Sequence, residues 1–239
     1  VNGSGDAPPF AEHVGALGEL VAPYQPERLL PLVGHEYDLA CNWKVVLENY
    51  HECYHCPLIH PELCSVSPPA SGHNFDLPGA WVGGWQDIRT GLATMSLDGH
   101  SGGTPIPGVT GERRHTVNYL GVFPNLLISL HPDYVMLHTL WPRSADRTDV
   151  VCEWYFEPET MAHEGFDPAD AVDFWDTVNR QDWRVCELTQ KGVGSRGFSR
   201  GRYTANEHTV HRFDRMLCEA YPGLGRGSAH LRPATTRLE

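Results

Sequence analysis

The sequence lacks any run of eighteen or more apolar residues, the length a membrane-crossing helix needs, and Val1 to Asp6 carry neither a basic leader nor an apolar signal core. Positive charge is scarce: 18 Lys and Arg stand against 30 Asp and Glu, a net charge of -12 that argues against a general binder of nucleic-acid backbones. Cysteine is too sparse for a disulfide scaffold, and the odd set of Cys41, Cys53, Cys56, Cys64, Cys152, Cys186 and Cys218 reads as reduced thiols, mostly small core residues. Internal repeats and low-complexity tracts are missing too. We therefore expect a soluble, cytoplasmic chain, and 239 residues with 41% apolar content suffice for one domain with a substantial core. It opens on Val1 rather than Met, as a segment from within a longer polypeptide would.

Pro8-Pro9 and Pro23 to Pro26 bracket a peripheral helix over Phe10 to Val21. Gly34 to Ala40 alternates as a short strand, and Asn42 is placed to cap a helix beginning at Trp43, with Trp43, Val46, Leu47 and Tyr50 as its buried stripe. On that helix Asn49, Glu52 and His55 share a neighbouring face at three-residue steps. Cys56 to Pro78 reads as a long loop, Trp81 to Ile88 and Leu92 to Leu97 as strands, and Asp98 to Gly111 as a surface lid or disordered loop. The clearest signal is an antiparallel meander over His115 to Phe123, Leu126 to His131, Tyr134 to Trp141 and Asp149 to Phe156. Asp167-Pro168-Ala169-Asp170 then starts a helix running to about Lys191, and the capping box Thr204 to Glu207 starts a final one ending near Pro222-Gly223. A sheet in the middle with helices at the ends is an α+β order.

Chemistry concentrates in Glu48 to His60, and three readings compete for it. His51-Glu52-Cys53-Tyr54-His55 matches the H-E-x-x-H of zinc proteases, yet Leu58 and Pro61 stand where the extended form has Gly and His, and no early downstream helix offers a third ligand. An iron-sulfur or zinc-thiolate site on Cys53, Cys56 and Cys64 lacks a second Cys-x-x-His or a second close Cys pair. The third reading is mononuclear iron on His55, His60 and a distant carboxylate. A straight helix would leave those imidazoles roughly 140° apart, but Pro57 interrupts the helix and lets His60 swing back. Two His and one carboxylate leave positions open for dioxygen, which suits ferrous iron. With fourteen His in the chain, two close together are often ordinary surface or core residues. The carboxylate is sought on the late helix, where Trp175, Val178, Val185 and Leu188 mark the buried side. Asn179, Asp182 and Cys186 run beside it, so Asp182 points inward, and Asp176 is the more solvated alternative.

Asn42-Trp43-Lys44, Glu48-Asn49, Glu52, Tyr54-His55 and His60-Pro61, with Gln181-Asp182 and Glu187 through Gln190, resemble the catalytic domain of the Rieske non-heme iron oxygenase large subunits. The resemblance extends through Phe123 to Leu126, Glu153 to Phe156 and the final helix. It implies a helix-grip fold, an antiparallel sheet flanked by helices, with Fe(II) on His55, His60 and Asp182, Asn49 close by, and O2 as co-substrate. It further implies that Glu52 bridges electrons from the [2Fe-2S] Rieske cluster of a neighbouring subunit, usually in a homotrimer fed by a flavin or ferredoxin-type reductase. Glu rather than Asp at position 52 is similar to the branch that oxidises quaternary ammonium compounds such as glycine betaine, stachydrine or carnitine. The family's Rieske domain, with its Cys-x-His and Cys-x-x-His pairs, is missing from these residues, so the cluster is expected on another segment or chain.

Candidates for the substrate pocket are Phe123, Asn125, His131, Tyr134, His138, Trp141, Trp154, Phe174 and Trp175, several of which would form a cation-π box for a methylammonium group. An aromatic ring would pack in the same box, so N-demethylation and ring dioxygenation both stay open. A helix-grip ligand-binding module and an H-E-x-x-H zinc hydrolase are the remaining alternatives.

Overall fold

The computed structural model describes residues 5–221. Its centre is a seven-stranded antiparallel sheet in the order β1-β7-β6-β5-β4-β3-β2. The strands are β1 (Leu30–Leu39), β2 (His73–Asn74), β3 (Trp81–Asp87), β4 (Thr116–Val122), β5 (Leu126–Leu130), β6 (Val135–Ser144) and β7 (Arg147–Phe156). The expected meander is β4 to β7. Its last hairpin runs further than the apolar pattern shows, because β6 and β7 stay paired out to Ser144 and Arg147 after the side chains have turned polar.

The helices are α1 (Phe10–Val14), α2 (Leu17–Val21), α3 (Trp43–Tyr50), α4 (Cys56–Ile59), α5 (Pro61–Val66), α6 (Pro158–Met161), α7 (Ala169–Val193) and α8 (His208–Ala220). Alternation along the strands serves both faces of the sheet. Val150, Cys152, Trp154 and Phe156 of β7 point towards α3 and α7, where Val46, Leu47, Trp175 and Val178 meet them. Leu120, Ile128 and Leu130 point the other way and are covered by Val14 and Leu17 with Ile106 and Val109. No helix among the described residues is long and apolar enough to cross a membrane.

Two sequence features place α3 and α7 together. Asn42 accepts from the Lys44 amide and caps α3. Glu187 and Gln190 of α7 accept from the backbone amides of Ala40 and Asn42, tying the far end of α7 to the entry of α3. Asp167 accepts from the Ala169 amide at the start of α7, and the Thr204 capping box precedes α8; the expected end at Pro222-Gly223 lies outside the described residues.

Several expectations are corrected. The amino-terminal helix is two, broken at Gly15, whose φ is 51° and where a Cβ would stand 2.5 Å from the Pro78 carbonyl oxygen, leaving no room for a side chain. The supposed loop from Cys56 to Pro78 holds α4, α5 and β2, because Pro57 and Pro61 sit in first turns of helices, where a missing amide costs nothing. Leu92 to Leu97 is not a strand, and the Asp98 to Gly111 span is pinned by the fully buried Ile106 and Val109 rather than free as a lid. Leu188 is exposed, because it lies two positions on from the fully buried Cys186 and so on the opposite face of α7. Cys53 and Cys56 are joined in a disulfide rather than reduced, since the turn after α3 brings the two together.

Candidate metal centre

Helix α3 ends at Tyr50, so Glu52 and His55 do not extend its face; residues 51–55 form a turn and bend that leads into α4. His55 immediately precedes α4 and His60 separates α4 from α5, so the interval between the two imidazoles is one short helical turn. Pro57 begins that turn instead of breaking α3. From the other side, α7 presents Asp182, whose Oδ1 lies 3.1 Å from His55 Nε2 and 2.9 Å from His60 Nε2. Among the described residues, His55, His60 and Asp182 form the one group of three His, Cys, Asp or Glu side chains able to hold a metal ion, with ligand atoms within 4.8 Å of one another.

What orients each imidazole is equally specific. His55 Nδ1 donates to Glu52 Oε1 at 2.6 Å, and His60 Nδ1 donates to Gln181 Oε1 at 2.8 Å, so both rings carry hydrogen on Nδ1 and turn Nε2 towards Asp182. Gln181 is fixed in turn by donating to Glu62 Oε2 at 3.0 Å. Asn49 Nδ2 lies 3.3 and 3.2 Å from the two nitrogens of His55. Burial works to lower the His55 pKa, but hydrogen bonds and charges from Asp182 and Glu52 outweigh it and raise the value to about 9. Burial likewise works to raise Asp182, and the bonds from His55 and His60 override it, leaving the carboxyl below its ordinary value. Two imidazole nitrogens and one carboxylate oxygen on one side of a point, the rest open, are a donor set that fits ferrous iron.

His51, the first His of the literal protease motif, lies outside this group. Its ring is stacked where a side chain on Gly121 would be: a Cβ there would stand 2.1 Å from Nε2. That nitrogen has no partner, and burial pushes the pKa down to about 3.

A cavity of about 470 Å³ opens beside the triad, lined by Tyr50, Trp85, Gln86, Tyr119 and Trp175 together with Asn49 and the ligand residues. Of the nine pocket candidates from the sequence, Trp175 alone lines it. His131 is stacked on Tyr134 with centroids 4.1 Å apart behind Trp175, and His138 bonds Asn179 at 3.2 Å on the far side of Tyr50. Trp154 and Phe174 are core, Phe123 packs on Phe213, Asn125 donates to the Leu140 carbonyl in a turn, and Trp141 is half exposed. The sequence reading missed Tyr50 and Tyr119 as lining residues, Gln181 as an orienting residue, and the Cys53–Cys56 disulfide. The available signal for Gln181 was its position directly before Asp182.

Residues 26–223 match the family model described as the ring hydroxylating alpha subunit (catalytic domain). The glycine betaine monooxygenase oxygenase subunit of Pseudomonas aeruginosa is 27% identical, the alignment covering 94% of this chain and 59% of that protein. The chloroplastic choline monooxygenase of Arabidopsis thaliana is 27% identical over 76% of this chain and 40% of its own length. In fold, the chain is similar to a crystal structure of the quaternary ammonium Rieske monooxygenase CntA, with a TM-score of 0.69, 19% identity, and coverage of 90% of this chain and 57% of that one. Naphthalene 1,2-dioxygenase from Rhodococcus sp. gives a TM-score of 0.66 at 15% identity over 91% of this chain and 63% of that chain. The chain thus spans less than two thirds of these relatives.

Proposed function

The chain belongs to the ring hydroxylating alpha subunit (catalytic domain) family, and from that premise we propose that it is the iron-bearing part of an oxygenase acting on a small quaternary ammonium compound. The observation that carries this reading is the convergence of His55 Nε2, His60 Nε2 and Asp182 Oδ1, each held by its own hydrogen-bond partners. Iron bound there would supply reductive activation of O2, the oxygen going into a C–H bond of the substrate.

The protein's own residues have separable tasks. His55, His60 and Asp182 hold the ion, with Glu52 and Gln181 fixing the two rings. Glu52 also reaches outward: its Oε2 accepts from the Tyr54 amide while the side chain stays one-fifth exposed. By the family resemblance it is the residue through which electrons from a neighbouring subunit's [2Fe-2S] Rieske domain would enter, and its partial exposure is compatible with that role. Tyr50, Tyr119 and Trp175 form a chain of rings with centroids 5.8 and 6.2 Å apart, and Tyr50 is anchored by its hydroxyl on Ser129 at 2.7 Å. Such faces suit a methylammonium group through cation-π attraction. The names of the relatives, which act on glycine betaine, choline and carnitine, favour that class over an arene.

To this reading belong a single domain in which α7 lies against the curved sheet in helix-grip fashion, a cytoplasmic homotrimer, and a flavin or ferredoxin-type reductase. The test is iron analysis of the chain and of Asp182→Ala, followed by formaldehyde release from glycine betaine, choline and carnitine when a Rieske-bearing partner and reductase are supplied. Full iron occupancy in the variant would overturn the centre. Turnover of arenes without any demethylation would transfer the chain to the ring-dioxygenating side of the family.

A further inference from the structure

The Cys53–Cys56 disulfide lies where it bears on the metal centre more than on the fold. Its two cysteines, three positions apart, bracket Tyr54 and His55, so one imidazole of the triad projects from inside the covalent ring. Glu52, which accepts from that imidazole at 2.6 Å, is the residue just before the ring. A cross-link closing so short a loop removes little entropy from the unfolded chain, so its contribution to overall stability is small. Its local effect is larger, because residues 51–55 belong to no helix or strand and backbone bonds hold only the two ends of the segment. The His51 and Glu52 amides reach Glu48 and Asn49 at 3.1 and 3.5 Å, the His55 carbonyl accepts from Leu58 and Ile59 at 2.9 and 3.0 Å, and Cys53 and Tyr54 between them make no backbone–backbone hydrogen bond. His60 differs: it is 1% exposed, its amide bonds the Cys56 carbonyl, and its ring is held by Gln181.

The sulfurs are also reachable. Both cysteines border the open cavity; Cys56 is buried and Cys53 is the more exposed. Gln86 Nε2 donates to Cys53 Sγ at 3.4 Å, and Gln86 Oε1 accepts from Ser67 at 3.2 Å, which aims the amide hydrogen at the sulfur. A donor so placed stabilises negative charge on Cys53 when that sulfur is finally released as a thiolate.

We propose that Cys53 and Cys56 are a reversible two-electron redox site whose reactant is a vicinal dithiol, and that its state sets how tightly His55, His60 and Asp182 hold iron; the second half rests on the iron-centre reading above. In the reducing direction a thiolate of the dithiol attacks Cys53 Sγ, the S–S bond breaks and Cys56 leaves as thiolate. The second thiol of the reductant then attacks the mixed disulfide, releasing Cys53. Two electrons and two protons pass from the dithiol, which ends as its own cyclic disulfide, to the two cysteines. With the ring open, His55 and Glu52 are ordered only when the metal binds.

The test equilibrates the whole chain in buffers of reduced and oxidised dithiothreitol, counts thiols by alkylation mass shift, removes the buffer, and measures Fe(II) affinity anaerobically. The expected result is that Cys53 and Cys56 become alkylated together and that Fe(II) binds about tenfold more weakly to the reduced form, the low end of what losing a ligand-orienting group costs. The double variant Cys53→Ser, Cys56→Ser should show the weaker affinity in every buffer. Should that variant fail to fold, the comparison of the two states of the unaltered chain is sufficient. Cys64→Ser, whose native thiol contacts the Cys56 carbonyl at 3.4 Å, should keep the shift; its loss there would overturn the assignment of the pair. Equal affinity in the two states, or free thiols at both positions in oxidised buffer, would overturn the redox site and leave the iron centre standing. Failure to bind Fe(II) in either state would overturn the iron centre and with it the coupling, while the alkylation count would still decide the redox pair by itself.

Discussion

Asp182 and Asp133 are the same residue type in the same protein, the first partly and the second almost fully withdrawn from solvent, and their environments shift them in opposite directions. Asp182 faces two imidazoles and stays below its ordinary pKa; Asp133, 4% exposed in the turn between β5 and β6, is pushed up from 3.8 to about 6. Burial has the same sign at both sites, so the partners decide. Thr94 donates to Asp133 Oδ1 at 2.5 Å and Ser101 donates to Oδ2, but hydroxyls bring no charge and only partly offset desolvation. The imidazoles of His55 and His60 both bond Asp182 Oδ1, and so hold Asp182 ionised. One carboxylate is thereby prepared to share a cation; the other clamps the 92–103 segment to the sheet.

The largest effect expected from breaking this contrast is on metal binding. Asp182→Ala should lose Fe(II) affinity by more than about a hundredfold, since a ligand goes and two imidazoles lose their common acceptor. Its circular dichroism should stay native. Asp133→Ala should do the opposite: iron binding unchanged, and stability to urea lower by about 2 kcal/mol because two buried hydroxyls lose their acceptor. An Asp133 variant that lost iron would erase the distinction between the sites.

The second effect is in pH. The unfolded chain releases the Asp133 proton near 3.8 and the folded chain near 6, so between these values the folded state binds more protons. Stability should therefore fall as pH rises from about 4 to about 6, by at most on the order of 3 kcal/mol, and be flat in this contribution above that. Asp133→Asn removes the titration and should flatten the slope measured by urea melts across that window. A slope unchanged in the variant would assign the titration elsewhere.

Much of this architecture was legible in the sequence where local chemistry and burial agree. Asn42 caps α3, the Thr204 box opens α8, and the strands of the meander alternate visibly. Spacing alone made His55, His60 and Asp182 candidates and left Asp176 and the His51 motif open; the resemblance to the Rieske oxygenase catalytic domain is what joined the three into one set. The legibility failed where one residue carries two meanings. Pro57 reads as a breaker, though the same fixed φ starts a helix there as it does at Pro61, and only the end of α3 at Tyr50 decides between the two meanings. The pocket was illegible for a different reason. Tyr134, His138 and Trp154 point to the α7 side of the sheet as a strand pattern predicts, but whether a residue on that side is cavity or core depends on how far α7 covers it. That is a tertiary fact, and it leaves Tyr119 open while closing His131 under Trp175.

The smallest predicted effect sharpens the comparison most, because it leaves both carboxylates in place. Gln181 touches neither the proposed ion nor Asp182, and acts by accepting from His60 Nδ1. Replacing it by Leu removes that acceptor with little change in volume, leaving His60 free to rotate or to carry its hydrogen on Nε2, the nitrogen the metal needs. Fe(II) affinity should drop by about tenfold, roughly 1.4 kcal/mol, with global stability nearly unchanged. Gln181→Glu restores an acceptor, but beside Glu62, the partner of Gln181 Nε2 at 3.0 Å, it brings two carboxylates together. Its rescue should therefore be partial and strengthen as pH falls and one of the two is protonated. If Gln181→Leu binds iron as well as the unaltered chain, the ionised state of Asp182 alone is sufficient for the site, and the tautomer of His60 is no part of what separates it from Asp133.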